Sequence, residues 1–408
     1  MNILLINQPV CNRGDESAHK ALIRELLTRC PDSKIIVLFV GCRSPYSISQ
    51  FAIEDIRVKY VNIHPILRFS KFSGEALIYP IRQFFWIFHP TICQILSYYR
   101  WADLVVCAPG GICMGGFQDW QHLFFLKLAK YTKKKLAYYG RSIGPFPLDT
   151  SLNKKFKKIS NEMLNYFSYL SLRDKKSEII ATELGFQPIS TTDTAFLNIF
   201  HCSLPYEIQS LLLDKKYMVF VPNYLLWHHK YQNRFTLSEL VDYYSVLIQR
   251  IWKVYPKLSV VMLPQTFDQG GLYDDVNLFR LIAEQINDKR VIIIPDNYSS
   301  DIQQMVISKA VFVVGARYHS IVFAINQNIP FIALSYEHKM TGLLESLDCT
   351  DYCVDFQETM FSEDAKNRSL QQIDNLLPKM TVRHNDISQK ARLIASKSMD
   401  EFIKRFYK

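Results

Sequence analysis

The chain of 408 residues is 49% hydrophobic and 21% charged, which is typical of a globular protein large enough for two domains. Its formal net charge of +10 favours anionic partners, namely phosphorylated metabolites, acidic membrane faces or nucleic acid. Nine scattered cysteines, odd in number, suit reduced thiols in a cytosolic protein rather than a disulfide framework, and no CxxC pair supports a zinc site.

The first half of the chain alternates short apolar runs with amphipathic stretches. It opens on a strand-like segment and lacks the basic and long apolar regions of a secretory signal, so we expect a cytoplasmic protein. Strands are predicted over 3–7, 34–40, 104–108, 135–139, 169–172 and 188–191. Helices are predicted over 16–30, 120–131, 152–166 and 175–184. This alternation predicts a parallel sheet, and the segment 201–215 is predicted to be a linker because the alternation lapses there.

A second alternating series follows the linker. Its predicted strands cover 217–222, 258–263, 291–294, 311–314 and 331–335. Its predicted helices cover 237–255, 276–285, 301–308, 320–326 and 339–347. We therefore predict an α/β protein in which two doubly wound parallel-sheet domains, 1–200 and 216–348, face a cleft. Residues 349–408 are predicted to form a C-terminal helical extension, whose last helix, near 387–406, leans back on the first domain.

The segment 76–101 is rich in aromatic and aliphatic residues. It is broken by Pro80 and Pro90 and carries charged residues, so it does not supply the roughly 20 apolar residues of a membrane span. Together with the lysines at 133–135 and 154–158, it suits a peripheral contact with an anionic bilayer. The alternative is that the aromatic residues pack in the core and the lysines form a solvated face.

A polar motif follows the first predicted strand and opens a helix. Its residues are Asn12, Arg13, Gly14 and Asp15. A glycine here permits close approach of a ligand to the backbone, and Asn and Asp accept hydrogen bonds from sugar hydroxyls or from free helix amides. The motif is not GxGxxG, so it does not indicate a dinucleotide site. We interpret it as a candidate acceptor-binding or anion-binding site, with simple helix capping as the alternative.

Glycine and arginine recur at the ends of the next strands. Gly110 and Gly111 form a glycine-rich segment, predicted to be a flexible turn that either cradles an anion with backbone amides or crosses the cleft. Arg141 ends the third strand of this group and Arg173 ends the fourth. Both are candidate anion-binding residues. For Arg173, the alternative is a structural pair with the adjacent Asp174.

The most informative stretch is Arg317-Tyr318-His319 with Lys339. It places three basic side chains at the carboxyl ends of two consecutive predicted strands, where open parallel sheets bind ligands. Arginine grips a carboxylate or phosphate through two parallel hydrogen bonds, and histidine exchanges protons near neutral pH. These residues predict a site for a small, doubly anionic substrate. The alternative is a helix cap or a surface ion pair.

Taken in order, these segments resemble the polysaccharide pyruvyl transferase family. The resemblance spans most of the chain up to about residue 347. The matching segments are Asn12-Arg-Gly-Asp15, Gly110-Gly111, Ser142-Ile-Gly-Pro-Phe146, Leu172-Arg-Asp174 with Ser177, Leu184-Gly185, Asp193-Thr-Ala-Phe196, Arg317-Tyr-His-Ser320 and Ser335-Tyr336 with Lys339.

The resemblance implies a fold similar to the B-type glycosyltransferases, with the acceptor on the N-terminal side and the donor on the C-terminal side. It implies transfer of pyruvate from phosphoenolpyruvate to a sugar as a ketal, without a metal or another cofactor. His319 matches the proposed acid/base, and Arg173, Arg317 and Tyr318 match donor-binding residues, which Lys339 is expected to assist. The acceptor is expected to be a lipid-linked saccharide at the inner membrane face.

Two other functions remain open at this point. The first is a nucleotide-sugar-dependent glycosyltransferase of similar fold. The second is a catalytically inactive protein that binds a sugar or an anion. Nucleic-acid binding is suggested by net charge alone and ranks last, because the chain carries no recognised nucleic-acid-binding module.

Overall fold

The computed structural model describes residues 1–9, 12–40, 52–64, 69–79, 88–200, 202–266, 274–295, 298–383 and 385–407. The chain forms two compact units. The first comprises Met1–Val10, Ser17–Asn198 and Leu393–Lys408, and the second comprises Cys11–Glu16 and Ile199–Arg392. The polar motif after the first strand therefore groups with the second unit.

The first unit is a parallel sheet with helices packed on it. Its strands are β1 (Asn2–Ile6), β2 (Lys34–Val40), β3 (Val58–Ile63), β4 (Leu104–Cys107), β5 (Gly110–Met114), β6 (Lys135–Ile143), β7 (Tyr169–Leu172) and β8 (Ile189–Ser190). Its helices are α1 (Arg13–Arg29, which begins in the second unit), α2 (Phe69–Ile78), α3 (Pro90–Trp101), α4 (Trp120–Tyr131), α5 (Ser151–Tyr166) and α6 (Lys175–Glu183).

The strands of this sheet run in the order β3-β2-β1-β4-β6-β7-β8, and β5 pairs with β6. All of these pairings are parallel; in β1, for example, Ile3 lies opposite Ile35 of β2 and Leu104 of β4. Apart from its ends, β2 is buried along its length, and β4 and β7 are buried at every residue, as expected for strands covered on both faces.

The second unit contains the other parallel sheet. Its strands are β9 (Tyr217–Val221), β10 (Ser259–Met262), β11 (Val291–Ile293), β12 (Val313–Gly315), β13 (Phe331–Ser335) and β14 (Cys353–Asp355). Its helices are α7 (Tyr206–Leu212), α8 (Leu237–Val254), α9 (Asp275–Ile286), α10 (Ser300–Ser308), α11 (Tyr318–Asn326), α12 (His338–Ser346), α13 (Glu363–Leu376) and α14 (Asn385–Phe406, which ends in the first unit).

The second sheet is doubly wound, with strand order β11-β10-β9-β12-β13-β14. The order reverses between β9 and β12, because β10 and β11 lie on one side of β9 and the later strands lie on the other. In open parallel sheets, ligands bind beyond the carboxyl ends of the strands at such a reversal. The segment that follows β12 contains Arg317 and His319.

Each predicted strand and helix is found within a few residues of its predicted position, so the predicted fold class of two doubly wound α/β units is confirmed. Three strands were not predicted, namely β3, β5 and β14, and the helices α2, α3 and α7 were also missed. The glycine-rich segment at Gly110 and Gly111 was wrongly predicted to be a turn; it starts β5. The segment predicted as a linker contains α7.

The end of the chain returns to the first unit. The last helix, α14, crosses from the second unit into the first, where the Tyr169 hydroxyl donates a hydrogen bond to the Ser398 carbonyl at 2.7 Å. The ring of Phe402 packs edge-on against Tyr139 and Tyr169, each at a centroid distance of 5.3 Å. Among the helices that the structure describes, none is long and apolar enough to cross a membrane. Part of the aromatic segment, residues 80–87, lies outside the described residues.

Candidate functional site

The first turn of α11 carries the most concentrated group of predicted site residues. Arg317 is its N-cap in an extended conformation, and Tyr318 and His319 are its first two residues. The main-chain N–H of Ser320 donates a hydrogen bond to the Arg317 carbonyl at 3.0 Å, which fixes the turn. The first N–H groups of a helix are oriented to bind anions. Backbone amides, a guanidinium and an imidazole thus occupy one helix terminus.

Arg317 is held by a buried carboxylate. One oxygen of Asp275, the first residue of α9, forms an ion pair with the Arg317 guanidinium. The other oxygen accepts hydrogen bonds from the main-chain N–H groups of Gln265 and Thr266, each at 2.9 Å. Burial alone would lower the pKa of Arg317, but the neighbouring Asp275 carboxylate outweighs burial and raises it. Arg317 is therefore a fixed positive charge in a set orientation.

His319 packs directly on the main chain of Gly14. A Cβ atom placed on Gly14 would lie 1.8 Å from Cγ of the His319 ring, so no other residue fits without moving the imidazole. The Asn12 side-chain oxygen accepts a hydrogen bond from the Gly14 N–H at 2.7 Å and holds this turn. The His319 ring also meets Tyr318 edge-on at a centroid distance of 5.0 Å. Gly14 is required here for close approach.

The rest of the polar motif anchors this turn to the second unit. Arg13 forms a buried ion pair with Glu16 at 2.6 Å, and the second Glu16 oxygen accepts hydrogen bonds from the Ser300 N–H and hydroxyl at 3.0 and 2.9 Å. The main-chain N–H of Arg13 donates to the Gln265 carbonyl at 3.0 Å. Gln265 also donates to Asp275, so one network joins the Gly14 turn to Arg317.

The structure thus brings the motif Asn12–Asp15 together with Arg317 and His319 in the second unit. The sequence predicted that this motif binds the acceptor or an anion. Its contacts show that it also supports the His319 ring. Arg13 is buried and engaged with Glu16. Asp15 is partly buried in the first turn of α1. Gly14, held by Asn12, forms the surface on which the His319 ring rests.

Lys339 follows the next strand, β13. Its ammonium lies 3.5 Å from the carboxylate of Glu337. Burial would raise the pKa of Glu337, but Lys339 and the Tyr336 hydroxyl outweigh burial and lower it. The Glu337 carboxylate therefore stays charged beside Lys339 at the strand end. Lys339 is in the first turn of α12, and the structure places it at the strand end beside the one that leads to Arg317.

The carboxyl end of β9 adds an aromatic and histidine-rich group that sequence reasoning missed. The Trp227 indole N–H donates to the Asn223 side chain at 3.3 Å, and its ring meets Tyr336 edge-on at 6.5 Å. The Tyr231 hydroxyl donates to the Tyr336 carbonyl at 2.9 Å. Burial lowers the pKa of His228, opposed by Glu337. The run Trp227-His228-His229-Lys230 after an apolar strand was the available signal.

The other predicted arginines lie in the first unit. Arg173 forms a buried ion pair with Asp193, and its Nε lies 3.4 Å from the Ser142 hydroxyl. Asp193 also caps a 3₁₀ turn by accepting from the Ala195 N–H at 2.9 Å. Asp174 does not pair with Arg173; it caps α6 by accepting from the Ser177 N–H at 2.8 Å. Arg173 is thus oriented at the carboxyl end of β7.

Arg141 is buried inside the same unit, where its guanidinium donates hydrogen bonds to main-chain carbonyls. Its side chain is 1% exposed and donates to the carbonyls of Asn7 and Ala108 at 3.1 and 2.7 Å. A second nitrogen donates to the Gly111 carbonyl at 3.3 Å. A Cβ atom on Gly110 would lie 3.1 Å from the guanidinium. Packing against Arg141 explains the glycine at 110, whereas a Cβ atom on Gly111 would have open space. The anion-binding role of Arg141, Gly110 and Gly111 stays a prediction.

Asp275 and Asp193 are the partners that the sequence did not identify. Each is fully buried and holds an arginine at a strand end. Asp275 follows Asp274 at a predicted helix start, where an acidic residue is normally interpreted as a helix cap. Asp193 starts a short turn after β8 and reads the same way. Only the fold shows that each carboxylate faces a distant arginine.

One protein-family model and one curated protein match this chain over most of its length. The model of the polysaccharide pyruvyl transferase family matches residues 12–338, from the Gly14 turn to the start of α12. A curated relative, the amylovoran biosynthesis protein AmsJ of Erwinia amylovora, is 22% identical over 396 residues. That alignment covers 88% of this chain and 89% of AmsJ.

Solved structures show the fold. A putative UDP-N-acetylglucosamine 2-epimerase from Listeria monocytogenes is 9% identical, with a TM-score of 0.61, and the match covers 98% of this chain and 94% of that chain. The trehalose-6-phosphate synthase OtsA is 10% identical, with a TM-score of 0.59 and coverage of 99% and 98%. The two sheets and these neighbours define a fold similar to the B-type glycosyltransferases.

Proposed function

The chain belongs to the polysaccharide pyruvyl transferase family, and from this premise we propose that it transfers pyruvate from phosphoenolpyruvate to a sugar of a polysaccharide precursor as a ketal. The observation that carries the proposal is the His319 imidazole, seated on Gly14 beside the fixed Arg317. A proton-exchanging group next to a fixed cation at a helix amino terminus suits an anionic enol substrate. The curated relative AmsJ, named for amylovoran biosynthesis, supports a biosynthetic role.

The donor is small and carries a carboxylate and a phosphate. Arg317 offers a guanidinium whose orientation Asp275 sets, and the first N–H groups of α11 lie beside it. Lys339 supplies a further cation at the neighbouring strand end. Arg173, matched to a donor-binding arginine by the family resemblance, supplies a planar two-pronged contact. Arg317 and Lys339, both in the second unit, neutralise the two anionic groups without a metal ion in this proposal, and the family resemblance alone assigns Arg173 to the donor.

The proposed reaction conserves its atoms with phosphate as the only product besides the ketal. His319 delivers a proton to the methylene carbon of phosphoenolpyruvate, which leaves an oxocarbenium-like centre at the carbon that bears the phosphate. One sugar hydroxyl attacks that carbon, phosphate departs, and a second hydroxyl of the same sugar closes the ring. The two hydroxyl protons leave by way of the imidazole and the departing phosphate. The arginines stabilise the phosphate charge as it develops.

We also propose that the acceptor is a lipid-linked saccharide. The proposal follows from the role of the family in polysaccharide assembly and from the formal net charge of +10, which favours an acidic membrane face. A lipid-linked acceptor would confine the reaction to the bilayer surface. The sugar itself is left to experiment.

The test combines purified protein with phosphoenolpyruvate and a panel of acceptors in the presence of a chelator. The panel contains nitrophenyl galactosides, glucosides and mannosamine derivatives together with lipid-linked saccharides. We expect one acceptor to gain the mass of a pyruvate ketal while an equal amount of phosphate is released. Transfer from a UDP-sugar, or ketal formation that needs added magnesium, would overturn the proposed donor chemistry.

A further inference from the structure

Three helices of the first unit meet at their ends near the surface. The Trp120 ring at the start of α4 packs edge-on against Phe156 of α5 at a centroid distance of 4.9 Å. The Lys155 ammonium of α5 donates a hydrogen bond to the carbonyl of Ile78, the last residue of α2. The end of α2, the start of α4 and the first half of α5 therefore lie close together.

Four large apolar side chains project from this junction. One follows Ile78, one lies three residues before Trp120, one precedes α5 and one is the second residue of α5, and each is between 47% and 57% exposed. They are Tyr79, Phe117, Leu148 and Leu152. Single exposed apolar residues are common, but four around one helix junction form a patch of the kind that marks an interaction surface. We refer to these four residues as the apolar rim.

A basic face adjoins the apolar rim on α5. Phe156, Ile159 and Met163 turn inward, and the lysines at 154, 157 and 158 lie on the other side of the helix. The same outward side continues with Asn161 and Asn165 and carries no acid. The one acidic residue of α5, Glu162, accepts hydrogen bonds from Lys127 and Lys130, each at 2.7 Å. Lys154, Lys157 and Lys158 are the basic face.

We propose that the apolar rim and the basic face together dock on an anionic lipid bilayer. Half-exposed tyrosine, phenylalanine and leucine side chains suit the headgroup boundary, where their apolar parts leave water. The lysines beside them are attracted by the negative surface potential of acidic lipids. Charge complementarity thus selects a lipid surface, and the apolar rim disfavours a nucleic acid, whose contacts are polar and charged.

The position of this surface suits delivery of the acceptor, an inference that rests on the proposed function. In the first unit, α5 follows the carboxyl end of β6 and the segment of Ser142, which lies next to Arg173. A bilayer held against the start of α5 would therefore lie on the edge of the sheet at which Arg173 is oriented. Docking at this surface presents a lipid-linked saccharide to that edge.

Sedimentation with vesicles of phosphatidylcholine, alone or with phosphatidylglycerol, tests the proposal. We expect the full chain to bind the anionic vesicles, to bind neutral ones at least tenfold more weakly, and to lose affinity as salt rises. Charge reversal in Lys154→Glu/Lys158→Glu should weaken binding by roughly 25-fold or more, at about fivefold for each lysine removed. Leu148→Ser/Leu152→Ser should also weaken binding while the salt dependence persists.

The control is Lys397→Glu/Lys404→Glu, which changes the net charge equally at two exposed positions of α14. Equal binding by the reversal and control variants, equal binding of neutral and anionic vesicles, or tighter binding to duplex DNA than to vesicles at the same salt would each overturn the proposal. Thermal midpoints verify that the variants fold.

Turnover of phosphoenolpyruvate with a soluble glycoside needs no vesicle. A failure of that turnover would therefore count against the proposed function and not against this surface.

Discussion

At the residue scale, the site depends on the missing side chain of Gly14 as much as on the groups that are present. The motif was read from the sequence as a place where a ligand approaches the backbone. In the structure the His319 ring occupies that space. A sequence shows which strand ends carry His and Gly, but it does not show that a residue near the start of the chain abuts one far along it.

A substitution at Gly14 tests this packing. We expect Gly14→Ala to displace the imidazole, because its methyl group would overlap the ring. A displacement of about 1 Å should lower single-turnover rates by roughly 100-fold with a much smaller change in phosphoenolpyruvate affinity. The matched control is Gly342→Ala in α12, where a Cβ atom has open space. A Gly14→Ala enzyme as fast as the control would show that the position of His319 does not matter.

At the element scale, the predictable parts were those with strong periodicity. The apolar runs that become β12 and β13 located the strand ends that carry Arg317 and Lys339. The segment β14 has three residues, too few to show alternation, and β5 starts with two glycines, which read as a turn. The arginine partners were missed because helix capping explains an acidic residue at a helix start equally well.

The substitution Asp275→Asn tests the ion pair with Arg317 that connects α9 to α11. The amide keeps an acceptor for Gln265 and Thr266 but removes the charge that faces Arg317. Breaking a buried ion pair should cost about 3–5 kcal/mol of stability, and phosphoenolpyruvate should bind more weakly because Arg317 loses its orientation. The control is Asp288→Asn, whose pair with Arg290 is about one-third exposed and should cost no more than about 1 kcal/mol. Calorimetric affinities and denaturation curves compare them; equal effects of the two variants would contradict a special role for Asp275.

At the scale of the whole molecule, two cores carry the two sheets, and the amphipathic alternation of the sequence was sufficient to predict both. The exact division between them was not predictable. Cys11–Glu16 groups with the second unit and Leu393–Lys408 with the first, so the chain crosses between units more than once. Such crossings depend on long-range contacts that leave no local pattern in the sequence.

Stability should fall in acid because burial lowers the pKa of two histidines, His19 and His122, and keeps them neutral in the folded chain. Burial lowers the pKa of His19 to about 3, whereas an unfolded histidine titrates near 6.5. Between these values the unfolded chain binds the extra proton, so the free energy of unfolding falls as the pH drops from about 6.5 towards 3, at about 1.4 kcal/mol per pH unit. Denaturation at several pH values should show a shallower fall for His19→Gln. The exposed His64→Gln serves as control, and parallel curves for His19→Gln and the parent would contradict the prediction.

The central claim is that His319 exchanges protons with the donor and acceptor, and His319→Gln tests it most directly. With the acceptor identified, single-turnover ketal formation, phosphoenolpyruvate affinity and thermal midpoint are measured on the parent and the variant. We predict a rate lower by roughly two to four orders of magnitude, with affinity changed much less and the midpoint nearly unchanged. A folded His319→Gln protein that forms the ketal at a near-parent rate would contradict the claim.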